Sequence, residues 1–200
     1  LPSMLFLRFA LAGVLMAVLM RLRGMRWPHG RTLLLLVAMG SLGYVGQSFC
    51  YFAALQHATA GLTALLLYLY PAIVTVLAAI LTRRRLSLLR LLAVAAALLG
   101  SGLAIGGSLA GSPLGILLGV AAAMIYSIYI LVGERVTPLA GAMPSSTVIM
   151  LAAAAVFGLM AFSQGAALPA SPVAWAAIGG IALLSTVVAM ITFFAGMARL

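Results

Sequence analysis

Polar side chains are sparse in this sequence, and three of them recur at helical spacing inside one apolar run. Gln47 lies three positions after Tyr44, and Tyr51 lies seven positions after Tyr44. One face of a helix would therefore carry all three side chains. The Gln47 amide both donates and accepts hydrogen bonds, and leaving it unsatisfied in hydrocarbon would cost several kcal/mol. This face is therefore expected to contact either another helix or a path for a polar solute.

A second group surrounds a proline in the run LLLYLYPAIVTVLAAILTRRRLS, which extends over residues 65–87. Pro71 lacks a backbone N–H, so the carbonyl of Leu67 loses its helical partner and the helix is expected to kink. In lipid that carbonyl must be satisfied by protein or water, as in a packing kink or a water-accessible cavity. A similar pair, Tyr126 and Tyr129, could line the cavity or anchor a helix at the membrane interface. The residues predicted to line a substrate pathway are Tyr44, Gln47, Tyr51, Tyr68, Tyr70, Pro71 and Tyr126.

The residue types that catalysis and metal binding require are nearly absent. The sequence has one acidic residue, Glu134, two histidines and one cysteine, Cys50. It therefore offers no pair of carboxylates, no metal-ligand cluster, no Ser/His/Asp set and no phosphate-binding loop, and a single cysteine forms no internal disulfide. We expect no enzymatic activity, no cofactor, no metal site and no ATP-driven transport within this chain, and a membrane-embedded enzyme is the least favoured class.

The elements that position these residues are apolar helices. Hydrophobic residues make up 66% of the chain and charged residues 6%, against about 25% charged residues in a soluble domain. Seven runs are each long enough to cross a hydrocarbon layer of about 30 Å. The sequence therefore predicts an all-α polytopic membrane protein with spans at about 3–21, 32–55, 60–82, 87–107, 113–133, 145–163 and 172–198.

The net charge of +10 comes from arginines that fall in alternate connections between these spans. Arginines follow the first, third, fifth and seventh spans, whereas the connections containing QHATA, GGSLAGS and SQGAALPAS have neither Arg nor Lys. Positive charge in alternate short loops marks the cytoplasmic side. This pattern predicts that the N-terminal end lies outside and the C-terminal end inside, with the lipid bilayer, rather than nucleic acid, as the partner of the basic loops.

An internal repeat is indicated by a shift of 142 positions, which places Pro2 on Pro144, Ser3 on Ser145 and Phe52 on Phe194. The shift spans five helices, an odd number, so the second copy would be inverted in the membrane. Inverted repeats are common in secondary transporters. We expect repeats at 1–107 and 113–200, the first lacking its opening helix and the second its last two. The complete protein would then have ten helices in about 280 residues, twice the repeat shift.

The segment AALQHATAGLTALLLYLYPAIVTVLAAILTRRRLS resembles the centre of the EamA-type repeat of the drug/metabolite transporter superfamily. That repeat has an Ala-Leu pair, then small residues, a mid-helix proline and a charged stop. Arg8 lies where the family often has an arginine, whereas Arg84 occupies a position that is usually acidic, so any salt bridge from that acid is absent. The residues that match the pattern are Ala54, Leu55, Ala58, Ala64, Pro71, Arg85, Leu86 and Ser87.

The resemblance implies a secondary transporter of a bacterial inner or plasma membrane that exports a small metabolite or drug-like molecule by alternating access. A non-transporting assembly or regulatory membrane protein is the alternative. Pairs such as Gly115 and Gly119 favour close packing within the chain, with a homodimer as the minority reading. For Arg8, the sequence leaves open whether its side chain extends to the interface or attracts an anionic substrate.

The charge pattern predicts opposite sides for two histidine positions. In a Cys50→Ser background, we expect His57→Cys to react with an impermeant maleimide added outside intact spheroplasts, and His29→Cys to react only after permeabilisation. The reason is that residue 29 lies in an arginine-rich connection and residue 57 in one without arginine. The reverse labelling pattern would contradict the orientation.

Overall fold

The computed structural model describes residues 2–83, 87–105, 109–165, 171–189 and 192. Over these residues the chain forms seven helical segments, which confirms the predicted all-α polytopic fold. Five of them are long and apolar enough to cross a membrane, namely α1, α2, α3, α5 and α6. The segments are α1 (Pro2–Leu22), α2 (Gly30–Ala54), α3 (Ala60–Thr82), α4 (Leu88–Ile105), α5 (Pro113–Ala140), α6 (Ala142–Ser163) and α7 (Pro172–Gly180, continued by Ile181–Val188).

Within the described residues, the observed bounds follow the predicted spans closely, with one extension. The predicted ends at 107 and 198 lie outside these residues. α5 continues to Ala140, beyond the predicted end at 133, and so contains Glu134 and Arg135, both exposed. Charged residues end a span but do not end a helix, because their backbone continues the same hydrogen-bond ladder once outside hydrocarbon. Arg84, Arg85, Leu86 and Phe194 lie outside the described residues.

Three of the helices are irregular inside their apolar runs. α2 contains a π-helical segment, Met39–Tyr44, and α7 continues from Gly180 into a second one, Ile181–Val188. α3 is divided into Ala60–Leu67 and Tyr70–Thr82. π-helical turns are rare and concentrate at functional sites. The two π-helical segments are therefore positions of interest, because the regular α-helical hydrogen-bond pattern is interrupted there.

The described chain divides into two compact units. Unit 1 comprises residues 1–45 and 133–200, and unit 2 comprises residues 46–132. In unit 1, α6 packs along α1 and also against the first half of α2, while α7 packs against α1. The packing of α1 and α6 is antiparallel, because Phe6 near the start of α1 meets Phe162 near the end of α6, and Gly13 meets Leu151.

α6 is the central helix of unit 1. Its residues from Met143 to Met150 are all buried, although a helix on a surface would expose one side. α1, by contrast, buries a stripe that includes Leu5, Phe9 and Met16 and exposes apolar side chains on its other side.

Gly40 is the position where α2 comes closest to α6. A Cβ atom at residue 40 would lie inside van der Waals contact of the Ile149 carbonyl oxygen and 2.8 Å from the Ala152 Cβ atom. Close approach of this kind lets membrane helices gain dispersion energy where lipid removes the hydrophobic driving force. The π-helical segment Met39–Tyr44 begins at this contact.

Unit 2 is held by glycines on α5 and by paired loop backbones. A Cβ atom added to Gly115 would lie 2.8 Å from the backbone of His57, and one added to Gly119 would meet the Leu66 side chain. The His57 carbonyl accepts from the Ser112 N–H at 2.8 Å, and the Ala110 carbonyl accepts from the Thr59 N–H at 2.9 Å. The glycine pair therefore packs within the chain, as its spacing favoured.

Replacing Gly40 by alanine should destabilise the protein by roughly 1–3 kcal/mol, because the new methyl group overlaps a backbone carbonyl that cannot rotate away. The free energy of unfolding in detergent measures this effect. Gly179→Ala, in α7 of the same unit, is the matched control, since nothing lies within 4 Å of its Cβ position. That control should be neutral or stabilising by up to about 1 kcal/mol, and equal effects at the two positions would contradict the packing at Gly40.

Candidate functional site

The break in α3 lies at Tyr68 and Leu69, immediately before the proline. Leu69 donates its N–H to the Leu66 carbonyl at 3.2 Å, a tighter turn than the α-helix, and the regular pattern resumes with Ile73 donating to Leu69 at 3.1 Å. Pro71 then occupies the first turn of the second half, where its missing N–H is tolerated. The irregularity predicted from Pro71 is thus present, displaced toward the N-terminal side of the proline.

Three tyrosine rings come together beside this break, all within unit 2. The Tyr70 ring meets the Tyr126 ring edge-on, with centroids 4.9 Å apart. Tyr126 in turn stacks on Tyr129, with centroids 5.9 Å apart and planes 11° apart. All three side chains are partly exposed. Together they form the tyrosine cluster of unit 2, which combines flat apolar surface with polar hydroxyl groups.

Ser127 joins the tyrosine cluster to the broken helix. Its side chain is fully buried, and its hydroxyl donates to the Ala123 carbonyl at 2.7 Å and lies 3.3 Å from the carbonyl oxygen of Tyr70. The second contact connects α5 with the beginning of the second half of α3. A neighbouring serine is one of the groups that satisfy irregular backbone at membrane depth, so this contact fixes Tyr70 relative to Tyr126.

Tyr44 lies in unit 1, where it has different neighbours. Its ring meets the Phe9 ring edge-on at 5.1 Å, and Phe9 stacks on Phe157 of α6 at 5.8 Å. The guanidinium carbon of Arg8 lies 5.2 Å from the centroid of the Phe9 ring. Tyr44 therefore belongs to a group that contains a cation, which the spacing within α2 did not indicate.

The other predicted residues are Gln47, Tyr51 and Tyr68. Gln47 and Tyr51 are in unit 2, because α2 passes from unit 1 to unit 2 between Val45 and Gly46. The Gln47 side-chain oxygen accepts from the Ser48 hydroxyl at 3.5 Å, and the Tyr51 ring meets Phe52 edge-on at 5.6 Å. Tyr68 is 47% exposed at the break itself.

The structure thus brings Tyr70, Pro71 and Tyr126 together and gives Tyr44 a separate setting with Arg8. Phe9 is the contact that sequence reasoning missed. Its position next to Arg8 and on the buried stripe of α1 is the signal that would have found it. Among the residues that the structure describes, no group of three His, Cys, Asp or Glu side chains is placed to hold a metal ion.

These features define a polytopic α-helical membrane protein with an aromatic cluster at a broken span. A model of the EamA-like transporter family matches residues 2–106, more than half of the chain. The chain belongs to this family of membrane transporters, within the drug/metabolite transporter superfamily.

The fold is also similar to that of solved proteins. A chain described only as "Crystal structure of protein" superposes with a TM-score of 0.80 at 23% sequence identity. The alignment covers 98% of this chain and 69% of that chain. No curated protein matches the chain. The likeness therefore supports the fold, and the family match supports the class of protein.

Ring contact within the tyrosine cluster should appear as thermodynamic coupling. In a double-mutant cycle of Tyr70→Leu and Tyr126→Leu, we expect a coupling of about 0.5–1.5 kcal/mol in the free energy of unfolding, since either change alone removes the edge-on contact. The pair Tyr68→Leu and Tyr126→Leu is the control and should be additive, because Tyr68 is nearly half exposed. Additivity of the first pair would contradict the contact.

Proposed function

We propose that this protein is a secondary transporter that exports a small organic molecule by alternating access between two inverted halves. The observation that carries the proposal is the break in α3 at Tyr68 and Leu69, beside the tyrosine cluster of unit 2. In transporters, discontinuous helices and irregular backbone occur where a membrane protein lines a substrate path. The family supports the class of activity.

The tyrosine cluster supplies what a passage for an organic solute requires. Phenol rings contact apolar or cationic parts of a solute through their faces, and their hydroxyl groups form hydrogen bonds. Tyr70, Tyr126 and Tyr129 are partly exposed, so their rings are not wholly enclosed by packing. Gln47 and Tyr51 of α2 add polar groups within unit 2.

The inverted repeat is supported by the positions of the two π-helical segments. A shift of 142 residues places Met39–Tyr44 of α2 on residues 181–186, which lie inside the π-helical segment Ile181–Val188 of α7. Since π-helical segments of this length are rare, their agreement in register is evidence that composition alone does not provide. The same shift pairs Gly40 with Ala182, which is completely buried.

The contacts inside unit 1 are also consistent with a pseudo-two-fold axis that exchanges the helices of one repeat with those of the other. The repeat shift pairs α1 with α6 and α2 with α7. Under that exchange the contact of α6 with α2 becomes the contact of α1 with α7, and both occur. The antiparallel contact of α1 with α6 is its own counterpart, as expected where an axis in the membrane plane passes between equivalent helices. Two halves related in this way can alternate between outward-open and inward-open arrangements.

The orientation, the bacterial inner or plasma membrane and the direction of export belong to this proposal. The orientation is supported by the arginine-rich connections, of which Arg21, Arg23, Arg26 and Arg31 are all exposed. The membrane and the direction of export follow only from the family resemblance. Metabolites such as amino acids, and toxic organic compounds, are the substrate classes that the family resemblance favours. The small-molecule substrate and the lipid bilayer are the proposed partners.

The test is transport by the purified full-length protein in proteoliposomes, using counterflow of labelled amino acids, nucleosides and cationic drugs with and without a pH gradient. We expect uptake of one class, reduced at least tenfold by Tyr70→Ala or Gln47→Ala, because each removes a polar group from the pathway. Phe49→Leu is the matched control in α2, since Phe49 is 58% exposed and lies two residues from Gln47. It should transport normally.

Labelling of Cys50 distinguishes a transporter from a non-transporting membrane protein. It is partly exposed and lies three residues from Gln47. Labelling by an impermeant maleimide, slowed by the transported compound, is expected if a wet pathway passes this part of α2. An absence of both counterflow and labelling, in protein that is folded, would overturn the proposal in favour of an assembly or regulatory role.

A further inference from the structure

Four arginines are concentrated where α1 passes into α2, in the sequence RLRGMRWPHGR of residues 21–31, which we call the basic connection of unit 1. All four side chains are exposed. None of them forms an ion pair or a side-chain hydrogen bond with another described residue. The single acid of the sequence is Glu134, so the chain itself leaves most of this charge uncompensated.

The basic connection begins with a defined turn. Gly24 has a φ of 61°, and its N–H donates to the Arg21 carbonyl at 3.0 Å. The Met25 N–H donates to the Met20 carbonyl, also at 3.0 Å. This pair of hydrogen bonds is the Schellman motif, which ends a helix and satisfies its last carbonyls. Pro28, further along, is buried. The arginines are therefore presented on an ordered backbone.

Helix stability does not explain the whole set of arginines. Arg21 lies in the last turn of α1, where the helix dipole favours a cation. Arg31 lies in the first turn of α2, where the same dipole disfavours one. His29, which precedes α2, provides no side-chain cap that would offset this. The charge of Arg31 is consistent instead with a negatively charged partner outside the chain.

Apolar side chains between the arginines identify the kind of partner. Leu22 is 78% exposed, Trp27 42% and Met25 38%. A free phosphate or a nucleic acid would pair with the arginines and leave this apolar surface in water. A phospholipid would cover it with acyl chains while its phosphodiester accepts two parallel N–H bonds from a guanidinium. Tryptophan also favours the level of the lipid headgroups.

We propose that the basic connection of unit 1 is a docking surface for an anionic phospholipid. Its arginines bind the phosphodiester, and Leu22, Met25 and Trp27 lie against the acyl chains. This is more than attraction of positive loops to a membrane surface, because it assigns headgroup preference to one connection. α1 and α2 both pack against α6, so a lipid bound between their ends also stabilises unit 1. The proposal is independent of transport.

The test is native mass spectrometry of the purified full-length protein, titrated in dodecyl maltoside with dioleoyl phosphatidylglycerol or dioleoyl phosphatidylcholine. One arginine near an anionic surface contributes about fivefold in affinity. We therefore expect phosphatidylglycerol to be retained at a concentration at least tenfold lower than phosphatidylcholine. Equal retention of the two lipids would overturn the proposal. Displacement of the lipid by equimolar glycerophosphoglycerol would assign the arginines to a soluble phosphodiester and overturn the lipid assignment.

Two variants matched in charge separate this connection from the other arginine-rich one. The first carries Arg21→Gln, Arg23→Gln, Arg26→Gln and Arg31→Gln. The second carries Arg83→Gln, Arg84→Gln, Arg85→Gln and Arg90→Gln. The first should weaken phosphatidylglycerol retention at least tenfold, and the second by less than threefold. Equal losses would reduce the effect to the general attraction of positive loops, and normal retention by the first variant would also overturn the proposal.

A single substitution keeps the test valid if removing four charges disturbs insertion into the membrane. Arg31→Gln removes a cation from the first turn of α2, where the helix dipole disfavours it. We expect its thermal stability in phosphatidylcholine to be unchanged or higher, whereas phosphatidylglycerol retention falls about fivefold. Arg90→Gln is the single control, since Arg90 is also exposed. Unchanged phosphatidylglycerol retention by Arg31→Gln would contradict the docking surface.

Discussion

Hydrocarbon imposes the constraint on which this structure depends, because a lipid environment offers the backbone no hydrogen-bond partner. Every N–H and C=O in a span must be satisfied within the chain, which makes long helices the only spanning form for a sequence of this kind. The described residues are accordingly helical apart from their connections. Departures from regular helix inside a span therefore have a cost, and the broken α3 and the π-helical segments of α2 and α7 stand out for that reason.

Packing between the helices depends on small residues. Lipid chains are as apolar as leucine, so burying leucine between helices gains little, and close approach of backbones gains dispersion energy instead. Gly13 against Leu151 and Gly40 against Ile149 show this in unit 1, and Gly115 against His57 shows it in unit 2. The all-round burial of residues 143–150 of α6 follows, because α1 and α2 both approach this helix closely.

Polar side chains within the spans fall into two groups with different consequences. Most serine and threonine hydroxyls donate to a carbonyl one turn earlier, as Thr63, Thr75 and Thr147 do, and so are satisfied within their own helix. Phenols and guanidinium groups extend too far from their backbone for this. Tyr70 and Tyr126 instead meet side chains of the same unit, which is why they, rather than the hydroxyls, carry the proposed recognition of a solute.

The sequence by itself determined the all-α membrane fold, the approximate bounds of the described helices, the irregularity near Pro71 and the family, since each depends on local composition or on a local motif. The π-helical segments, the extension of α5 to Ala140 and the division of the predicted face at Val45 were decided by tertiary structure. Tyr44, Gln47 and Tyr51 were predicted to share a helix face, yet Phe9 of α1 lies against the Tyr44 ring because of how α1 packs. Which residues meet is decided by helix packing, and helical spacing cannot report the neighbour that another helix contributes.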